Sequence, residues 1–215
     1  MSFSTMLMTL SQGMLSTLGI FVLTLVGSLP LGMVVALLKK SRFAPVRAVI
    51  SAYITVVRGT PLMLQLIAWY FGPHYIFGLS IGNWRFPALI LGFVLNYAAY
   101  FAEIYRGGIE SIPVGQYEAG EVLGYSKTQT FIHIILPQVV KRIMPAVTNE
   151  VITLVKDTSL AFTLAYSEVF SLAKQITASQ ASLMPLVIAG VFYLITNYVV
   201  EFVMKRIEKS MDYYK

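Results

Sequence analysis

The sequence predicts an all-α polytopic membrane protein with five transmembrane helices, built as a single domain over residues 1–215. Three observations carry that expectation. The 215 residues are 57% hydrophobic and only 12% charged, with a mean hydropathy of +0.72, whereas a soluble domain carries about a quarter charged residues. The apolar residues gather in runs of about twenty or more, the length that crosses a core of about 30 Å as a helix. The Lys and Arg residues collect on alternate connecting segments, the bias that sets membrane orientation.

Residues 14–38 form the first span, an uncharged run that stops at Lys39, Lys40 and Arg42. The second covers residues 46–71 and is interrupted by Arg58, Gly59, Thr60 and Pro61. Proline removes a backbone donor and disfavours helix at the residue before it, so the helix is weakened there. Gly72, Pro73, Gly78, Gly82 and Asn83 mark a loop, with Trp69, Tyr75 and Trp84 as interfacial aromatics. The third span is residues 86–105, followed by a polar loop from Arg106 to Pro137. The fourth, residues 143–166, contains Glu150, Lys156 and Asp157, and a polar segment over 167–182 leads to the fifth at 183–204. Gly107 and Gly108 read as a flexible helix end.

Five spans put the termini on opposite sides. With the N-terminus outside and the C-terminus inside, the inner segments hold Lys39, Lys40, Arg42, Arg47, Arg106, Lys127, Lys141, Arg142, Lys205, Arg206, Lys209 and Lys215. Arg85 and Lys174 fall outside, and Arg58 and Lys156 lie within spans. This distribution accounts for the net charge of +6 without a nucleic-acid partner, and it puts the loop after the third span in the cytoplasm.

Within that loop, about residues 108–137, Pro113 and Gly115 precede a short helical stretch carrying Glu118, Glu121 and Val122. Gly124 supplies a stop, since glycine takes the left-handed conformation without a side-chain clash. A second helical stretch runs from Ser126 to Leu136 and is expected to close at Pro137. A helix, a glycine turn and a helix on the inner face make a rigid knob for another protein to grip.

Ionisable residues inside spans cost roughly 2.5–3.5 kcal/mol each on insertion scales and point to a protein interior or a wet cavity. Arg58, Glu103, Lys156 and Asp157 stand out, with Glu150 close to the membrane edge. Asn96, Tyr100 and Glu103 share one face of the third span, and Glu150, Thr153 and Asp157 share one face of the fourth. Two polar stripes on apolar helices predict an interior lining. The broken backbone at Arg58–Pro61 fits the same picture, because such breaks survive only where protein or water covers them. The competing structural reading has Arg58 in a salt bridge to a carboxylate, Glu103 pairing with Arg106 or Arg142, and Asp157 pairing only with Lys156 or Arg58.

The loop spacing resembles the EAA loop of importer-type ABC transporter permeases: Glu118, Ala119, then Gly120 where a second alanine is usual, with Gly124, Ile134, Leu136 and Pro137 on the pattern. The strings RGTP (58–61), NYAAYFAEIYRGGIESIPVGQYEA (96–119) and KDTSL (156–160) narrow the resemblance to the polar amino acid branch of that family, the histidine/glutamine/arginine-type group. The likeness covers about residues 13–209. It implies a five-helix core that pairs with a second, identical permease protomer, two ABC ATPase subunits docked on the loop through Glu118, Ala119, Gly120 and Gly124, and an extracytoplasmic solute-binding protein. It also implies a bacterial inner-membrane location, surrounded by membrane lipid, with ATP and magnesium bound on the partner ATPase and no cofactor on this chain.

The substrate-binding set expected from these readings is Arg58, Thr60, Asn96, Tyr100, Glu103, Asp157 and Ser159. An α-amino acid carries a carboxylate and an ammonium, and a guanidinium with nearby carboxylates meets both ends. Glu103 and Asp157 together give a surplus of acid suited to a cationic side chain; with Lys156 also pointing inward, glutamine fits as well. The enzymatic alternatives lack their residues. There is no cysteine, no G-x-x-x-x-G-K-[ST] and no H-E-x-x-H, and His74 and His133 are far apart in sequence. A secondary transporter coupling ions through Glu103 and Asp157 and an intramembrane protease remain as rivals, the latter without a paired nucleophile and base.

Overall fold

In the computed structural model, which describes residues 2–211, helices α1 to α9 account for nearly every element, and no strand occurs among the described residues. Lys215, counted above on the inner side, lies outside them. Four helices are long and apolar enough to cross a membrane, and a fifth crossing is available if one sharply bent pair counts as a span.

Helix α1 runs Phe3–Lys39, eleven residues earlier than the apolar run alone predicts. The Ser2 hydroxyl accepts from the Thr5 amide and starts it. Met6 and Leu10 extend it, because they bury against Val169, Ala173, Ile176 and Ala189 near the far end of the chain. Further along, Gly13, Thr17, Ile20, Thr24, Ser28, Gly32 and Val35 recur every three or four residues and are all buried. That stripe of small side chains lets α1 lie closely along α4 (Arg85–Glu110); a Cβ on Gly32 would stand 2.8 Å from the Phe101 Cβ. Small residues at such a seam replace the hydrophobic drive that lipid cannot supply.

The predicted interruption is a true break. Helix α2 (Ala44–Gly59) and helix α3 (Leu62–Phe77) meet at 115°, and Thr60, as the residue before Pro61, is extended at φ −123°, ψ 147°. A 3-10 turn at Gly82–Trp84 leads into α4, the most enclosed of the spans. Helix α4 continues to Glu110, so Gly107 and Gly108 are not a loose helix end. Gly108 is buried against Val139 and Ile143, and a Cβ there would collide with the Ile143 side chain.

The loop forms α5 (Val114–Val122), a turn at Gly124, and α6 (Lys127–Thr130). Pro137 does not close the second stretch. A π-helical turn, Phe131–Ile135, takes up the strain, and Pro137 sits in the first turn of α7 (Leu136–Asp157), where its missing donor costs nothing. A 3-10 segment at Thr158–Leu164 ends the rod. The polar stretch over 167–182 is largely helical, as α8 (Val169–Gln180), and α9 (Met184–Ser210) is the last helix of the described residues.

Candidate functional site

The break between α2 and α3 delivers Thr60, Pro61 and Leu62 to the side of α4 and α7, and the polar stripes of those two helices face it. Together they enclose a cavity of about 360 Å³, lined by Thr60, Pro61, Leu62, Asn96, Tyr97, Tyr100, Glu150, Thr153, Asp157 and Leu160. Its size and mixed lining suit a small polar molecule. Two larger hollows, of about 540 and 600 Å³, lie elsewhere, and neither gathers the polar faces of α4 and α7.

Of the residues the sequence points to, Thr60, Asn96, Tyr100 and Asp157 line this cavity. Arg58 stands beside it, its guanidinium 5.3 Å from the centre of the Tyr100 ring. Glu103 does not line it. One turn further along α4, its carboxylate is held by Lys39, by Arg106 at 2.8 Å and by Arg58 at 3.8 Å. That cluster ties α1, α2 and α4 together, a structural role. Arg142, the other partner considered for Glu103, instead donates to the Ser111 carbonyl. Ser159 is outside the lining too, with its hydroxyl donating to the Lys156 carbonyl at 2.8 Å.

The acid that takes the place expected of Glu103 is Glu150, two turns before Asp157 on α7. Asp157 is oriented by Tyr97, whose hydroxyl donates to its Oδ2 at 2.7 Å. Tyr97 was legible only as the residue after Asn96. No lysine or arginine is among the lining residues, so the wall carries two carboxylates with one guanidinium at its margin.

The loop is the second candidate surface. Glu118, Ala119 and Glu121 on α5 are exposed, as are the apolar side chains of Val114 (70%), Val122 (87%) and Leu123 (67%). Apolar groups this open beside charges make the hairpin a candidate contact surface. Gly120 is buried against α6, with Thr130 Cγ2 and Oγ1 both 2.5 Å from where a Cβ would be. The close packing of α5 on Thr130 is why glycine replaces the alanine usual in the pattern. Gly124 adopts φ +76°, a left-handed turn that glycine enters freely. Ser126 then opens α6 with a reciprocal cap shared with Gln129. Gln138 at the start of α7 donates to Gln116 Oε1 at 3.0 Å and ties α5 to that helix.

Comparison with known proteins follows the same lines. Residues 28–213 match the family described as "Binding-protein-dependent transport system inner membrane component". The arginine transport system permease protein ArtQ of Bacillus subtilis is 37% identical over 201 residues, covering 93% of this chain and 91% of its own. The L-cystine transport system permease protein TcyB of the same organism is 35% identical, covering 95% and 87%. Among solved structures, an amino acid ABC transporter crystallised with histidines superposes with a TM-score of 0.87 at 29% identity, over 98% of this chain and 99% of that one. A multi-pass helical core, a broken span beside a polar cavity and an exposed α5–α6 hairpin thus coincide with a family match over most of the length. The chain belongs to the binding-protein-dependent transport system inner membrane components, the permease subunits of ABC transporters.

Proposed function

We propose that this chain is the permease subunit of an ATP-driven bacterial importer for polar amino acids, with cationic ones preferred. The observation that carries the preference is the pair of carboxylates, Glu150 and Asp157, on a cavity wall that no lysine or arginine joins. A cationic side chain or ammonium meets these acids, and the substrate carboxylate turns toward Arg58 at the Tyr100 edge. The names of the relatives agree with an amino acid as cargo, arginine among them.

The N-terminus faces outward and the loop inward, an orientation that the distribution of Lys and Arg supports. Two ATPase subunits grip the exposed face of α5, a second identical protomer completes the pathway, and an extracytoplasmic solute-binding protein delivers the substrate. When the ATPases close on ATP, the hairpin moves as a rigid lever. The rod from Lys127 to Asp157 transmits that movement over about 45 Å to the cavity acids, exchanging outward for inward exposure.

Uptake of radiolabelled arginine, glutamine and glutamate by proteoliposomes holding the assembled complex tests the reading. Arginine is expected to be taken up best and glutamate worst. A charge-assisted contact is worth about 1.5–3 kcal/mol, so Asp157→Asn is expected to raise the KM for arginine about tenfold or more, with a smaller change for glutamine. Preference for glutamate in the unaltered protein ends the proposal.

A further inference from the structure

The break between α2 and α3 leaves backbone groups without their helical partners. The Val57 carbonyl would accept from the amide four residues on, but that position is Pro61, which has none. The Thr60 carbonyl loses its helical partner as well, because the Leu64 amide turns to the Pro61 carbonyl at 3.1 Å. Unpaired carbonyls at this depth are costly. One side chain meets both. Gln65 Nε2 lies 2.8 Å from the Val57 carbonyl, 3.0 Å from the Thr60 carbonyl and 3.0 Å from Thr60 Oγ1. Its Oε1 accepts from Asn96 Nδ2 of α4 at 3.0 Å.

The amide of Gln65 therefore uses its donors on one side of the break and its acceptor on a neighbouring span. Asn96 is buried, and both it and Thr60 line the cavity. We propose that Gln65 is a positioning residue that locks the α2–α3 break to α4 and so fixes where Thr60 and Asn96 stand on the cavity wall. Gln65 is itself outside the lining, so it acts through these two residues. The geometric part stands on the hydrogen bonds alone; the kinetic part rests on the cavity being the translocation site.

The test uses Gln65→Met, which keeps the length and loses the amide, and Gln65→Glu, which keeps an acceptor for Asn96 but loses the donors. The cysteine-free sequence permits spin labels at Val49→Cys and Phe77→Cys, both well exposed on α2 and α3, in assemblies diluted with unlabelled chain. A narrow distance distribution is expected with Gln65 and a clearly broader one in both variants. In uptake by the full complex, both variants are expected to raise the KM about tenfold while kcat changes less than about threefold, the signature of misplaced binding groups. An unchanged distance distribution overturns the lock. A broadened distribution with an unchanged KM overturns the positioning role. Absence of amino acid uptake by the unaltered complex defeats the proposed function, and the distance measurement still decides the lock.

Discussion

Taken singly, the acids of the membrane helices divide by what holds them: Asp157 accepts from the Tyr97 hydroxyl at 2.7 Å on the cavity wall, whereas Glu103 is gripped by Lys39, Arg58 and Arg106. Asp157 was readable as an acid within a span; Glu150 shares its face at a seven-residue interval but, set near the membrane edge, is not in the expected binding set. Glu103 shares its stripe with Asn96 and Tyr100 by the same arithmetic, yet it lies one turn too far along α4, where Lys39, Arg58 and Arg106 converge. Arg106 stands three residues on in the same helix, but Lys39 and Arg58 come from α1 and α2, and no spacing within α4 reveals those two. Glu168 was not legible at all. It sits in a segment without periodicity, and only the fold encloses it fully, with its carboxylate accepting from the amides of Phe170 and Ser171 at 2.7 and 2.6 Å and from the Tyr193 hydroxyl at 3.1 Å. It caps α8 and pins that helix to α9.

Burial pushes the Glu168 carboxyl above its ordinary value, with the two backbone amides and Tyr193 opposing the shift. The folded protein thus holds this proton to higher pH than the unfolded chain does. The stability from that linkage is full below the unfolded value of about 4.3 and is lost as pH rises through the raised one. Glu168→Ala removes a cap worth about 1–2 kcal/mol. We expect it to lower the melting temperature by roughly 2–8 °C and to flatten the pH dependence just above 4.3. A melting curve followed across that range checks both, and an unchanged curve denies the cap its role.

At the level of elements, the hairpin was the most legible part of the chain. Its turn depends on local chemistry, with Gly124 as the left-handed residue and Ser126 as the start of the second stretch, whereas the reciprocal cap with Gln129 is a finding of the structure. What stayed hidden was the continuity of α6, the π turn and α7, because Pro137 reads as a stop wherever the preceding turn is taken to be α-helical. The extra residue in the π turn lets the rod pass through. Any side chain at Gly124 costs about 1–2 kcal/mol in the left-handed region, although nothing lies within 4 Å of its Cβ position. Gly124→Asp therefore changes the angle of the hairpin without a clash. Membrane content is expected to stay normal, while substrate-stimulated ATPase activity of the complex falls about five- to thirtyfold. Normal stimulation in that variant contradicts the lever.

Across the whole molecule, five apolar runs announced the class, but their packing order was not in the periodicity. The long α1 lies along α4 through a stripe of glycine, serine and threonine that hydropathy alone treats as weak. Its first turns reach α8 and α9, closing a second apolar cluster apart from the main core. The α2–α3 bend converts one predicted span into two arms, and its inner corner, with α4 and α7, makes the cavity. The central claim is that an exposed hairpin couples an external ATPase to that cavity. Uptake of labelled arginine into proteoliposomes carrying the chain, with and without its co-purified ATPase, tests it most directly. The account predicts uptake only when the ATPase is bound and hydrolysable ATP is supplied on the hairpin side. Uptake by the chain alone, driven by an ion gradient, would contradict it.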